Sequence, residues 1–200
     1  MKLRKLALLP VAAAAMAFGT PAMANSLTVQ GVTFDTQAID GDTLQLSILN
    51  ATSATGNWTG INYLQAFEIK DVGTVTGANI TSGPGTWTTS VTDGLAANAL
   101  GCNAGNTPGA CFTADPAVSL TDSMIWTIDF VGSNLSFASP HLKVQFLQSL
   151  TQDKPTGNLL SQNIPAVPEP ETYAMMLVGF SLLGFVARRR KQSLGNLATA

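Results

Sequence analysis

The tail constrains this 200-residue chain most. Val167-Pro168-Glu169-Pro170-Glu171-Thr172 precedes an apolar run from Tyr173 to Ala187, and Arg188, Arg189, Arg190 and Lys191 close it. Pro168 and Pro170 fix their own φ and disfavour helix in the residue before them, so Val167 to Glu169 is expected to be extended. An extended, pre-ordered segment is a good shape for an enzyme to read. Tyr173 to Ala187 has no charged side chain and no proline. It is predicted to close its backbone hydrogen bonds as a single helix in lipid, over about residues 172–187. The basic block resists translocation, which leaves 192–200 as a cytoplasmic tail. At about 1.5 Å per residue the run spans about 22 Å, against about 30 Å of hydrocarbon. That is short for a permanent transmembrane anchor, the plainer alternative, unless the arginines snorkel or the bilayer thins. A buried core helix is disfavoured by the adjacent arginines.

The order of carboxylate between prolines, apolar helix and arginine block resembles the PEP-CTERM protein-sorting signal of Gram-negative bacteria, also called the ice-binding-protein C-terminal motif. The resemblance rests on Pro168-Glu169-Pro170, on Met175, Met176, Leu177, Gly179, Phe180, Leu182, Leu183, Gly184 and Phe185, and on Arg188 to Arg190. It covers a small part of the chain, but three features in fixed order make it specific. It implies an exported protein whose anchor is removed by an exosortase, a membrane-embedded cysteine protease. It also implies a link to exopolysaccharide and biofilm matrix. Val167, Pro168, Glu169 and Pro170 would carry recognition, and Arg188 to Lys191 orientation. Gln192 to Ala200 departs from the family pattern, which usually stops sooner.

The other end carries its own label. Lys2, Arg4 and Lys5 form a positive n-region, Leu6 to Phe18 an apolar h-region, and Ala22-Met23-Ala24 a small-x-small cleavage site. Residues 1–24 are therefore expected to be a signal peptide, with Asn25 the first mature residue. The implied partners are the Sec translocon and signal peptidase. An uncleaved anchor is the alternative, and it would not need the Ala22/Ala24 site.

Between the two labels, residues 25–164 have the length of one domain with its own core. The tail signal is expected to occupy 165–191. The middle keeps only Lys70, Lys143 and Lys154 against ten carboxylates. It is thus acidic by about seven charges. Nucleic-acid binding requires a basic footprint, which is missing. Thr, Val, Ile, Asn, Gly and Ser are prominent and favour strands. Leu27 to Phe34 is a candidate first strand. Leu44, Leu46 and Ile48 alternate with polar residues, as do Met124, Trp126, Ile128 and Phe130, and Leu142, Val144 and Phe146. Ile61 to Ile69 suggests another strand interrupted at Gln65. Val72 to Ile80 and Trp87 to Val91 are weaker candidate strands, separated by a turn at Ser82-Gly83-Pro84-Gly85, and Leu159, Leu160 and Ile164 suggest an edge strand. About six to eight short strands point to an all-β fold, an antiparallel β-sandwich or jelly roll.

Cys102 and Cys111 flank a Gly/Asn/Pro-rich turn, which in an exported chain reads as a local disulfide. Closing a ring of about ten residues contributes about 2.7 kcal/mol. A redox or metal role is the alternative, but a metal requires more ligands. No catalytic residue is selected. His141, the sole histidine, lies at a strand end without an evident partner, and no nucleophile elbow is present. Asp40-Gly41-Asp42 offers carboxylates for calcium, although a tight turn uses the same residues. No cofactor is implied. Trp58 and Trp87 lie among Gly, Asn and Thr near turns and are the candidate ligand contacts of a carbohydrate-binding module. Trp126, Tyr63 and Phe112 are further aromatics, and packing is the competing reading of all five.

Overall fold

The computed structural model describes residues 24–105, 108–155, 159–167, 176–181 and 183. The strands are β1 (Ala24–Val29), β2 (Val32–Ala38), β3 (Thr43–Leu49), β4 (Tyr63–Lys70), β5 (Thr74–Ser82) and β6 (Trp87–Ser90). They continue as β7 (Asp93–Leu95), β8 (Cys102–Gly105), β9 (Gly109–Ser119), β10 (Ser123–Ser133), β11 (His141–Leu147) and β12 (Leu159–Asn163). One five-stranded sheet has the order β1-β2-β3-β10-β5, and the other β12-β11-β4-β9-β6. Every pairing is antiparallel. β7 and β8 form a separate ribbon.

The alternating residues close the sandwich. Phe34, Leu44, Leu46, Ile48, Trp126 and Ile128 of the first sheet share one buried cluster with Leu64, Phe67, Phe112, Leu142, Val144 and Phe146 of the second. Rings meet across the gap: Phe34 and Phe146 stand 6.3 Å apart, Phe67 and Trp126 5.5 Å. Burying each such side chain stabilises by about 1.5–3 kcal/mol, which is why the inward positions must be apolar.

Three features depart from the sequence expectation. Leu27 to Phe34 is two strands, not one, because Gln30 and Gly31 both take positive φ (49° and 84°) and reverse the chain between Val29 and Val32. Paired positive φ in a two-residue loop matches the right-handed strand twist of a hairpin. Strands also outnumber the expected six to eight: β6 falls on the weaker candidate Trp87 to Val91, but β7 and β8 are three or four residues each, too short for periodicity to register, and β9 shows no alternation because Gly109 to Phe112 are buried in succession. Finally, β4 does not have a solvated outer face. Ala66 to Ile69 are all buried, Glu68 included, since the β7–β8 ribbon covers that face of the second sheet.

Candidate functional site

The two ends of the domain meet at the β1 edge. Residue 25 is only 1% exposed, and its amide donates to Thr36 Oγ1 (3.2 Å) and to the Phe137 carbonyl (2.9 Å). On the other side of β1, Asn25 forms an antiparallel bridge with Ala166. Two backbone hydrogen bonds flank that pair: Ser26 N–H donates to Pro165 O at 3.1 Å, and Val167 N–H donates to Ala24 O at 3.0 Å. The segment leading into the bridge is held as well, with Ile164 N–H on Pro140 O at 2.9 Å. The β-structure thus runs to Val167, past Ile164, where the sequence pattern predicts the domain to end. Ala24 and Asn25 begin β1 itself, so the expected leader junction enters the sheet with no linker.

Beyond the bridge, residues 176–181 and 183 are helical. Their apolar side chains lie off the sandwich core, Phe180 at 63% and Leu183 at 67% exposure. The one hydroxyl among them, on Ser181, donates to Leu177 O at 2.7 Å. Returning a polar group to the helix's own backbone is what an apolar surrounding requires. Among the described residues no helix is long and apolar enough to cross a membrane. The remainder of the helix expected over 172–187 lies outside the described residues. So do Ala22, Pro168, Glu169 and Pro170, Arg188, Arg189, Arg190 and Lys191.

The aromatic candidates separate. Trp58 is 2% exposed, wedged edge-on between Phe34 (5.9 Å) and Phe146 (5.4 Å). The expectation that it offers a face to a ligand is therefore corrected. The short 3-10 turn Gly56–Trp58 tips its ring into the gap between the sheets, where the area buried outweighs its polar neighbours in sequence. Trp126 and Phe112 are core residues too. Trp87 is half-buried. Its indole N–H is committed to Pro84 O at 2.8 Å, yet it borders a groove of about 270 Å³ with Asn79, Thr81, Ser82 and Thr86.

Cys102 and Cys111 are disulfide-bonded, as their spacing predicts, with Cα atoms 5.9 Å apart. The bond ties β8 to β9. Two buried side chains of the second sheet hold the same flap. Glu68 accepts from Leu95 N–H at 2.8 Å and pairs with Lys143 Nζ at 3.1 Å. Gln145 accepts from Gly101 N–H and donates to Ala99 O, both at 2.8 Å. Sequence reasoning passed over Glu68 as one of ten acids. The available signal was its place inside the apolar stretch Ala66 to Ile69.

The remaining polar candidates serve the fold. Asp40 accepts from the N–H groups of Asp42 (3.1 Å) and Thr43 (2.8 Å). The Asp42 backbone bond, then the Thr43 side chain, hold its carboxyl below the ordinary carboxylate range. Asp42 is pushed up, first by sharing a hydrogen bond with Asp40 and then by that residue's charge. Asp40 is thus used by the turn. Among the described residues no three His, Cys, Asp or Glu side chains gather as a metal site. His141 has partners across the strand pair, with Nδ1 2.6 Å from Asn163 Oδ1 and Nε2 3.0 Å from Ser161 Oγ.

Residues 166–191 match the family model of the PEP-CTERM protein-sorting motif. The chain carries a PEP-CTERM motif. No curated protein and no solved structure matches it. The PEP-CTERM match begins at Ala166, the residue bridged to Asn25, so the motif emerges directly from the β1 edge. It marks the chain as an exported protein sorted by an exosortase at the membrane and bound for the cell surface. The family match ends at Lys191, where the basic block read from the sequence also closes.

Proposed function

We propose that this chain is a non-enzymatic, exported structural protein of the Gram-negative cell surface or extracellular matrix, associated with exopolysaccharide or biofilm. The leader, residues 1–24, directs it to the Sec translocon, and signal peptidase removes it before Asn25. An exosortase-type protease reads Val167-Pro168-Glu169-Pro170. The helix over about 172–187 retains the chain transiently in the inner membrane, and Arg188 to Lys191 hold the tail cytoplasmic. One observation carries this reading: a sorting motif at 166–191 follows, without a spacer, from the last bridged residue of a β-sandwich. The exposed apolar side chains of residues 176–181 support the retention step. The sandwich supplies a durable, acidic cargo with its one disulfide formed. As a test, the domain is tagged and its release into the medium compared with that of a Pro168→Ala/Glu169→Ala double variant. Release of wild type only is expected. Equal release of both would refute processing through this motif.

A second reading keeps the exported cargo but makes it a carbohydrate- or polymer-binding module. The groove beside Trp87 favours it, because a half-buried indole edge lies among side-chain hydroxyls and an amide. Binding on a glycan array that Trp87→Ala abolishes is the expected result under that reading, and no binding on a broad array would exclude it.

A further inference from the structure

We propose that strand β1 orders the two processing steps: loss of the leader releases the residue that opens the sorting motif. The inference rests on the sorting function proposed above and concerns the regulation of that same site. The acceptor that holds Val167 is the carbonyl of Ala24, at 3.0 Å. Cleavage before Asn25 discards that carbonyl with the leader. The other bond of the bridge, from Ser26 N–H to Pro165 O, stays with the mature chain. A two-bond bridge therefore becomes a one-bond bridge, and the bond lost is the one nearer the motif. The next residue, Pro168, has no N–H and cannot add a rung in compensation.

The release matters because a protease that reads an extended segment takes up its backbone donors and acceptors as an added strand. In a folded chain that still bears its leader, the Val167 donor is already occupied. After leader removal it is available to the enzyme. The leader junction is itself protected once β1 is seated, since Asn25 is almost fully buried and paired on both sides. Leader cleavage is therefore favoured before this edge closes, and a chain that folds first has both junctions partly occluded. Such a chain is cut at its sorting motif more slowly than one whose leader was removed first.

The test uses the full chain in a Gram-negative host carrying an exosortase, with cleavage followed by pulse–chase. Ala22→Lys abolishes the small residue that signal peptidase needs and leaves the Ala24 carbonyl in place. Its C-terminal cleavage is expected to slow about fivefold, the size of one backbone hydrogen bond. Adding Ser26→Pro removes the second bond of the bridge. The Ser26 N–H points away from β2, so the sheet ladder is kept, and cleavage is expected to recover. Cleavage of Ala22→Lys at the wild-type rate would overturn the proposal. So would slow cleavage that Ser26→Pro does not relieve, which would assign the delay to the second membrane tether. Exchange of the Val167 amide gives a readout independent of Ser26→Pro. It is expected to be about fivefold faster in the leader-cleaved chain, and equal exchange would also overturn the proposal. The Pro168→Ala/Glu169→Ala chain is run alongside. If it is cut normally, the sorting function falls and this inference with it. If it is uncut while Ala22→Lys is cut at the wild-type rate, only this inference falls.

Discussion

Trp87 and Trp126 share one acceptor: both indole N–H groups donate to the carbonyl of Pro84, at 2.8 and 3.0 Å, with their rings 5.7 Å apart and nearly perpendicular. The Ser82–Gly85 turn is thereby locked onto both sheets at once. Gly83 permits it. Its φ of 138° is open only to glycine, and a Cβ there would overlap the Trp126 ring. These two tryptophans are thus first of all packing elements with their indole N–H groups satisfied.

Trp58 is the sharpest case. Trp58→Ala is expected to destabilise the domain by about 4 kcal/mol, because it empties a site between Phe34 and Phe146. Trp87→Ala, at the rim, should cost about half as much. Urea denaturation of the secreted domain measures both. A near-neutral Trp58→Ala would contradict the buried placement.

The Glu68–Lys143 pair gives an asymmetric prediction. Lys143→Met leaves a carboxylate that is 1% exposed without its cation, and about 3 kcal/mol should be lost. Glu68→Gln keeps an acceptor for Leu95 N–H and removes the buried charge, so the loss should be smaller. Equal effects in denaturant midpoint would argue that the pair is solvated.

The disulfide holds the flap over this pair. Reduction, or Cys111→Ala, should cost about 2.7 kcal/mol. Hydrogen exchange should rise first at Leu95 and Gly101, whose N–H groups are tied to Glu68 and Gln145. Loss of protection that begins in β10 instead would contradict a local role.

Much of this was legible in the residues, and for a physical reason. Period-2 alternation reports a strand with one buried face, which is why β3, β10 and β11 stand where the pattern predicts. The same rule fails on β4, where a flap distant in sequence buries the outer face and with it Glu68. Turn chemistry was read at Ser82–Gly85 and missed at Gln30–Gly31, because Gln carries no positive-φ signal of its own. The sorting motif was legible because its parts are contiguous. The Ala24–Val167 bond was not, since it joins opposite ends of the domain.

Asp40 predicts a pH dependence. The folded state lowers its pKa, so its stabilising contribution is complete above the ordinary carboxylate pKa. The contribution fades as pH falls through the lowered value. Asp40→Ala should therefore be less stable than wild type at neutral pH, and the two should converge in acid. Asp42 carries the opposite sign. Its pKa is raised, so Asp42→Asn should be neutral or slightly stabilising at neutral pH. Thermal unfolding from neutral to acidic pH checks both, and an Asp40→Ala deficit that grows in acid would contradict the turn geometry.

Intact-mass analysis of the protein released from an exosortase-bearing host tests the whole account most directly. The expected species begins at Asn25, lacks the apolar segment and the arginine block, and weighs two hydrogens less than its reduced form. A full-length chain with free thiols, retained and functional inside the cell, would contradict it.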